Sequence, residues 1–482
     1  MKKFLAICLS LCLAAALFAV PVLAEGETKE VENAEALKQA ITDAGETAAT
    51  IKLTASITAS ITIAKGQNIT LDLNGQTLTC ETGKDTITNE GTLVIVSSVE
   101  GGTVMGGTAD TASGKTALLN KQGAVCTLKS GALKRGDVQQ FGYYTVDNDG
   151  TLYMTGGEIS NDSNSSSLVR NRGTMNVTGG LVRQDSFIAL KNDEDTNNGI
   201  VGKLTIGGSA VIQSAGEQAV QNWGEATIEA GSITGEVFSW SYTGVNSKLD
   251  IKGGNIDGDV AGIDFEANKK STASVSISGG TVTGLVVVGN YSDGKVVSVE
   301  PGETSAKMEI SGGAYQNDVS KFVAKGSSEL VKASGGSRYQ VGQYTSSTQG
   351  VTAAAQLNGK SVYFEALNDA VTHAGVTGVT VTANATLTKE IPEDVNVTVL
   401  GGATLTAQGD LTGVTFSNGA KLVVPEGKTA TIDGKEYASG SYEAQKDGTL
   451  SKPETKPEEK PAEPAAPAPA PEKANPKTGV AA

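Results

Sequence analysis

The chain has 482 residues, with 53 acidic against 38 basic side chains and a formal net charge of −15 at pH 7. That charge excludes nucleic acid and anionic membrane surfaces as partners, since neither attracts it. A composition poor in aromatics and rich in Gly, Thr, Ser and Ala suits a soluble exported protein.

The first 24 residues read as a secretory signal peptide. Lys2 and Lys3 form the basic start, Phe4 to Val20 the apolar core, and Val22-Leu23-Ala24 the small-residue cleavage site, so Glu25 opens the mature chain. Cys8 and Cys12 leave with this segment, and neither follows the Gly or Ala of a lipobox. Residues 31–45 carry Ala36, Leu37, Ala40, Ile41 and Ala44 at helical spacing, and Gly45 ends the pattern. Strand-like runs come next at Ile51 to Leu53, Ile57 to Ile63 and Ile69 to Leu73, then an Asn74-Gly75 turn leads into Thr77 to Thr79. Only Cys80 and Cys126 remain in the mature chain. Both fall at apparently inward positions about two repeats apart, which at strand spacing is ~9–10 Å and beyond disulfide reach. Two buried free thiols are expected.

From there a phrase recurs. Asn148-Asp149-Gly150-Thr151-Leu152-Tyr153-Met154-Thr155-Gly156-Gly157 is one copy, and the stretch from Asn171-Arg172-Gly173 to Gly179-Gly180 is the next. Weaker copies lie at Lys203 to Ile212, Glu225 to Ile233, Lys248 to Ile256, Ser274 to Val282 and Lys307 to Tyr315. A repeat of roughly this length, all strand and turn, describes a chain that stacks on itself, about three short strands per repeat. Inward positions go to Ile87, Leu93, Ile95, Leu118, Leu128, Val146, Leu152, Met154, Val169, Met175 and Val177. Gly pairs allow tight corners. Asn89, Asn120, Asn148, Asn171, Asn192 and Asn222 precede the turns and form a candidate amide ladder.

These features resemble the right-handed parallel β-helix, the pectate-lyase-like superfamily, as it occurs in surface proteins of anaerobic gut Firmicutes. The expected fold is an all-β solenoid over residues 25–345, closed by the N-terminal helix. A string of β-sandwich modules is the rival, but it needs longer strands and hairpin logic. After a polar linker at 346–354, Glu365 to Gly375 repeats the helix of Glu35 to Gly45, and Asn396-Val397-Thr398-Val399 repeats Asn68 to Leu71. A second, shorter capped solenoid is therefore expected over 355–450. Residues 451–474 are mostly Pro, Glu, Lys and Ala, an extended stalk rather than a core. The chain then reads Asn475-Pro476-Lys477-Thr478-Gly479. This resembles the cell-wall sorting signals of Gram-positive surface proteins, with Asn475 in place of the usual Leu and without the apolar span and basic tail found in that family. The resemblance implies sortase cleavage between Thr478 and Gly479 and attachment to peptidoglycan.

Because the superfamily includes hydrolases and lyases, catalytic groups must be sought. The one histidine, His373, falls on the second helix and reads as a helix-surface residue. Arg170 and Arg172, beside Asp147 and Asp149, offer a lyase base. Aligning the copies stacks Asp147 over Arg170 and Asp149 over Arg172, and the residues after the ladder alternate in sign through Glu90, Lys121, Asp149, Arg172 and Asp193. Cross-rung ion pairs that fix register are the simpler account. The insertion Asp193-Glu194-Asp195 is rich in oxygen ligands for Ca²⁺ but lacks a regular calcium spacing, so a solvated loop is preferred. Trp223 and the alternating Phe238, Trp240 and Tyr242 either fill a wide part of the core, the favoured reading, or face outward as a platform for sugar rings. The whole reads as a monomeric, non-enzymatic surface protein without cofactor, an adhesin or binder of host or dietary glycans. A polysaccharide-active enzyme is the runner-up and a structural spacer the third reading.

Overall fold

A computed structural model describes residues 28–107, 116–136, 144–161, 166–196 and 198–453. The signal peptide with its Ala24–Glu25 junction, nearly all of the stalk, and the Asn475 to Gly479 motif lie outside the described residues. Short strands separated by glycine corners stack into an all-β solenoid. One face is a twelve-stranded parallel sheet running from Thr28–Val31 to Lys307–Ile310. A twenty-seven-stranded sheet carries the other two columns of strands.

One rung shows the logic. Thr151–Met154 lies in the first sheet, Gly156 and Gly157 turn the chain into Glu158–Asn161, and Val169–Asn171 closes the circuit. The next rung repeats it in register, Leu152 over Met175, Ile159 over Val182 and Val146 over Val169. Such parallel pairing is incompatible with sandwich modules, whose sheets are antiparallel. The corners need glycine for two reasons. Gly157 and Gly180 have φ of 74° and 83°, which side chains rarely adopt. A Cβ on Gly173 would sit 2.0 Å from the Gly150 carbonyl oxygen of the rung below.

The core runs down the axis. From Ile87 to Val177, every residue assigned inward is fully buried in one continuous cluster. At the N-terminal end the helix Ala34–Ala44 starts at Asn33, whose side chain accepts from the Ala36 amide, and buries Leu37, Ala40 and Ile41 in the same cluster. The two cysteines are free, but the expected geometry is corrected. Cys126 lies in the first sheet opposite Leu93, whereas Cys80 comes directly after Thr77–Thr79 in the other sheet. They occupy different columns, so rung counting does not relate them, and only Cys126 is buried. Burial pushes its thiol far above the ordinary range.

The six asparagines are wholly buried and form a continuous chain. Each Nδ2 donates to the Oδ1 of the next, from Asn89 to Asn120 at 2.8 Å through to Asn192 to Asn222 at 2.8 Å. Sequence steps along this column are 31, 28, 23, 21 and 30 residues, so the repeat is held constant by the amides while loop length varies. The same Nδ2 groups reach backbone carbonyls at the start of neighbouring strands, such as Asn148 to Thr174 at 3.2 Å. Past Asn222 the Ser239 hydroxyl accepts at 2.9 Å. The column stops there because the next residue in register is Gly262.

Toward the C-terminus the strand Ser328–Val331 pairs antiparallel with Tyr339–Gly342 and parallel with Lys360–Phe364. Hydrogen bonding is thus continuous between the long solenoid and the C-terminal strands. A second hydrophobic cluster runs from Val331 to Leu450 and takes in Leu367, Ala370 and Val371 of the one-turn helix Leu367–Val371.

Two outcomes are expected. Asn148→Ala removes donors and acceptors for two buried neighbours and should cost about 3 kcal/mol in denaturant unfolding; a loss below about 0.5 kcal/mol would contradict a structural ladder. In the native protein a small maleimide should label Cys80 and leave Cys126 unmodified until denaturant is added, as read by peptide mass mapping.

Candidate functional site

The aromatic run sits on Ser232–Ser241. Val237 belongs to the axial core, and the Ser239 hydroxyl bonds Ser247 inside the solenoid at 2.8 Å. Strand alternation therefore turns Phe238, Trp240 and Tyr242 outward, which overturns the expected inward packing. They are nonetheless not an open platform, because Phe238 and Trp240 are only 6% and 4% exposed. Ala261 and Ile263 of the next rung, together with Tyr291 and Val296 of the hairpin Val286–Ser292 and Lys295–Val299, build a separate outer cluster over them. Trp223 stacks on Trp240 at 5.6 Å, and Phe265 stacks on Tyr291 at 4.9 Å. Trp240 Nε1 donates to Gln218 at 3.0 Å and Trp223 Nε1 to Gln221 at 3.1 Å, which satisfies both indoles. The Tyr242 hydroxyl donates to Glu194. Burial and that carboxylate push its pKa up to about 12.

Beside this cluster runs a groove of about 510 Å³ whose wall includes Phe238, Trp240 and Tyr291. Three carboxylates from successive rungs line it: Glu217, Glu236 and Asp259. Glu236 and Asp259 align because each immediately precedes a residue of the Val237–Val260 pair. Glu217 arrives differently. The strand Val211–Asn222 shifts register between Gln213 and Gln218, and that bulge carries Glu217 to the groove. Burial, then the Asp259 and Glu217 carboxylates, hold the Glu236 carboxyl above its ordinary range. Burial does the same to Glu217. Asp259 is fixed by the Leu285 amide at 2.7 Å, and Lys295 supplies a cation at the rim. Sequence reasoning missed this trio because one member depends on a bulge and the others on outward alternation beneath a hairpin.

The other candidates are drawn into structural roles. Arg170 makes a bidentate contact to Asp147 at 2.9 and 2.5 Å and lies over the Tyr144 ring. Arg172 does the same with Asp149 at 2.8 and 2.9 Å. Asp193 turns instead to Lys191 at 2.9 Å, and among the described residues no ion pair joins Lys121 to Glu90 or Asp149, so of the expected alternation only the Asp149–Arg172 step is realised. Asp195 reaches Arg172 and Asn198, and Glu194 serves Tyr242, so the three acids of that insertion diverge. Among the described residues no set of three or more His, Cys, Asp or Glu is grouped to hold a metal ion.

His373 is not a surface residue, and that expectation is corrected. Its side chain is 8% exposed, its ring meets Phe364 edge-on at 5.5 Å, and Nε2 lies 3.9 Å from Asp318. Asp318 in turn neighbours Glu329, which is completely buried and accepts from the Val319 amide at 3.1 Å. Burial and the Asp318 carboxylate raise the Glu329 carboxyl from 4.5 to about 8. The nearby cation Arg338 is committed to Asp369 at 2.8 Å. This group lies where the long solenoid meets the second hydrophobic cluster, with Glu329 buried and the Asp318 side chain partly exposed.

No protein-family model, curated protein or solved structure matches the chain.

The sign of the Glu329 effect is fixed by its raised carboxyl. The folded state keeps a proton that the unfolded chain releases, so its contribution is full below about pH 4.5 and lost as pH rises through about 8. Glu329→Gln should match wild type near pH 4 and exceed it by roughly 3–5 kcal/mol above pH 8. Urea melts of both proteins across that range test this, and a pH-independent difference would refute it.

Proposed function

We propose that this protein is an exported solenoid, displayed on the cell surface by its Pro-rich stalk, that binds glycan in the outer groove beside Trp240. The meeting of Glu217, Glu236 and Asp259 with an aromatic wall carries the reading. Carboxylates accept pairs of sugar hydroxyls, while the nearly buried Phe238 and Trp240 give the groove an apolar wall and Tyr291 is half-buried at its edge. Three successive rungs supply the contacts, so an extended glycan lying along the solenoid axis would meet them in order. The likeness to pectate-lyase-like β-helix surface proteins and to sorting signals supports the same reading. In it, Thr478 is joined to peptidoglycan by a sortase, the protein acts as a monomer, and no cofactor is needed.

One observation favours a second reading, a polysaccharide-active enzyme. Glu236 keeps its proton more readily than an ordinary carboxylate and has carboxylates on both sides, an arrangement suited to general acid catalysis. Both readings need Glu236. A glycan array followed by calorimetry on the hits should give binding that Glu236→Gln weakens at least about tenfold, with melting unchanged or raised. Binding indifferent to Glu236→Gln and Glu217→Gln together sinks the groove as the site. Release of new sugar ends by wild type but not by Glu236→Gln selects the enzyme.

A further inference from the structure

We infer that the solenoid carries a second ligand site, a lysine-lined groove that takes a linear polyanionic glycan bearing carboxylate or sulfate groups. It does not rest on the carboxylate groove and has the opposite charge. The groove measures about 770 Å³ and is lined by Lys269, Lys307, Lys321, Lys325 and Lys360. These come from separate parts of the sequence: a loop, the last strand of the twelve-stranded sheet, the short turn Ser320–Phe322 and its exit, and the tip of the 353–364 hairpin. Folding has collected them.

In a chain of net charge −15, chance placement would put carboxylates among them. Only Glu309 lines the same groove. Lys321 is paired with Glu300 at 3.2 Å and lies over the Phe322 ring, and Lys269 donates to the Gly302 carbonyl at 3.1 Å. Lys307, Lys325 and Lys360 make no ion pair among the described residues. Like charges gathered without counter-charge raise the energy of the empty protein, and an anionic ligand relieves it.

The groove continues into a second hollow of about 360 Å³ that shares Lys325 and Lys360 and adds Tyr344 and Tyr363. Charge adjoining aromatic rings suits a sugar polymer, with ammonium groups on the anionic substituents and tyrosines on the ring faces. Nucleic acid fits less well. No arginine lines either hollow, so the bidentate phosphate contact is missing. A duplex also brings one charge per ~1.7 Å, and the remaining acidic surface would repel it.

The test uses the mature chain and fluorescent heparin, polygalacturonate, neutral dextran and single-stranded DNA at about 50 mM salt. Heparin, polygalacturonate or both should bind, dextran should not, and added salt should weaken the complex. Lys307→Gln, Lys325→Gln and Lys360→Gln combined should weaken binding at least about tenfold, with circular dichroism and melting confirming the fold. Should that variant fail to fold, Lys325→Gln at an exposed turn and Lys360→Gln at the partly exposed start of its strand, made singly, provide the readout at about threefold each. Retained binding by Glu236→Gln separates this site from the first. No binding to either polyanion, binding unchanged in the lysine variants, or tighter binding of DNA than of both glycans overturns the proposal.

Discussion

The buried amide ladder is the interaction on which the rest of the structure depends. Parallel strands as short as Val146–Asn148 and Val169–Asn171 gain little from backbone pairing alone, and a strand slips by one residue at small cost unless something inside specifies register. An amide in a dry interior specifies it strongly, because an unpaired buried donor or acceptor is costly. Asn89 to Asn222 meet that condition five times in succession. Outside, Asp147 with Arg170 and Asp149 with Arg172 repeat the same register in charge. Once the corner is fixed in each rung, loops between strands are free to differ in length, and that freedom shapes the outer surface.

Legibility in the sequence depends on which forces are local. Inward residues such as Leu152 and Met175, and the asparagine column, obey alternation and turn chemistry, which adjacent residues determine. The outer aromatic cluster does not. Nothing near Trp240 announces that Tyr291 and Val296 will cover it from a hairpin two rungs on. Glu217 reaches its groove through a bulge, and a bulge leaves no reliable mark in composition. Cys80 departs from its expected place because strand columns are assigned by the fold and not by distance along the chain. His373, Asp318 and Glu329 come from three elements, so only the tertiary structure could unite them.

Where the ladder ends, the surface changes character. Before Asn222 several outer charges pair between rungs, Lys134 with Glu158, Arg170 with Asp147 and Arg172 with Asp149. The bulge lies in the strand that ends at Asn222, and beyond it come the outer aromatic cluster and the collected lysines near the join to the second cluster. Chemistry collects where regular stacking gives way, which agrees with the general tendency of bulges and long connections to carry function.

The ladder also has a direction. Every Nδ2 from Asn89 to Asn222 donates toward the higher-numbered neighbour, so the amide dipoles add along the axis as peptide dipoles do in a helix. Turning any single amide around would set oxygen against oxygen on one side and nitrogen against nitrogen on the other. The orientation is consequently a collective property of the column, and the amide column is polarised with its positive end toward Ser239.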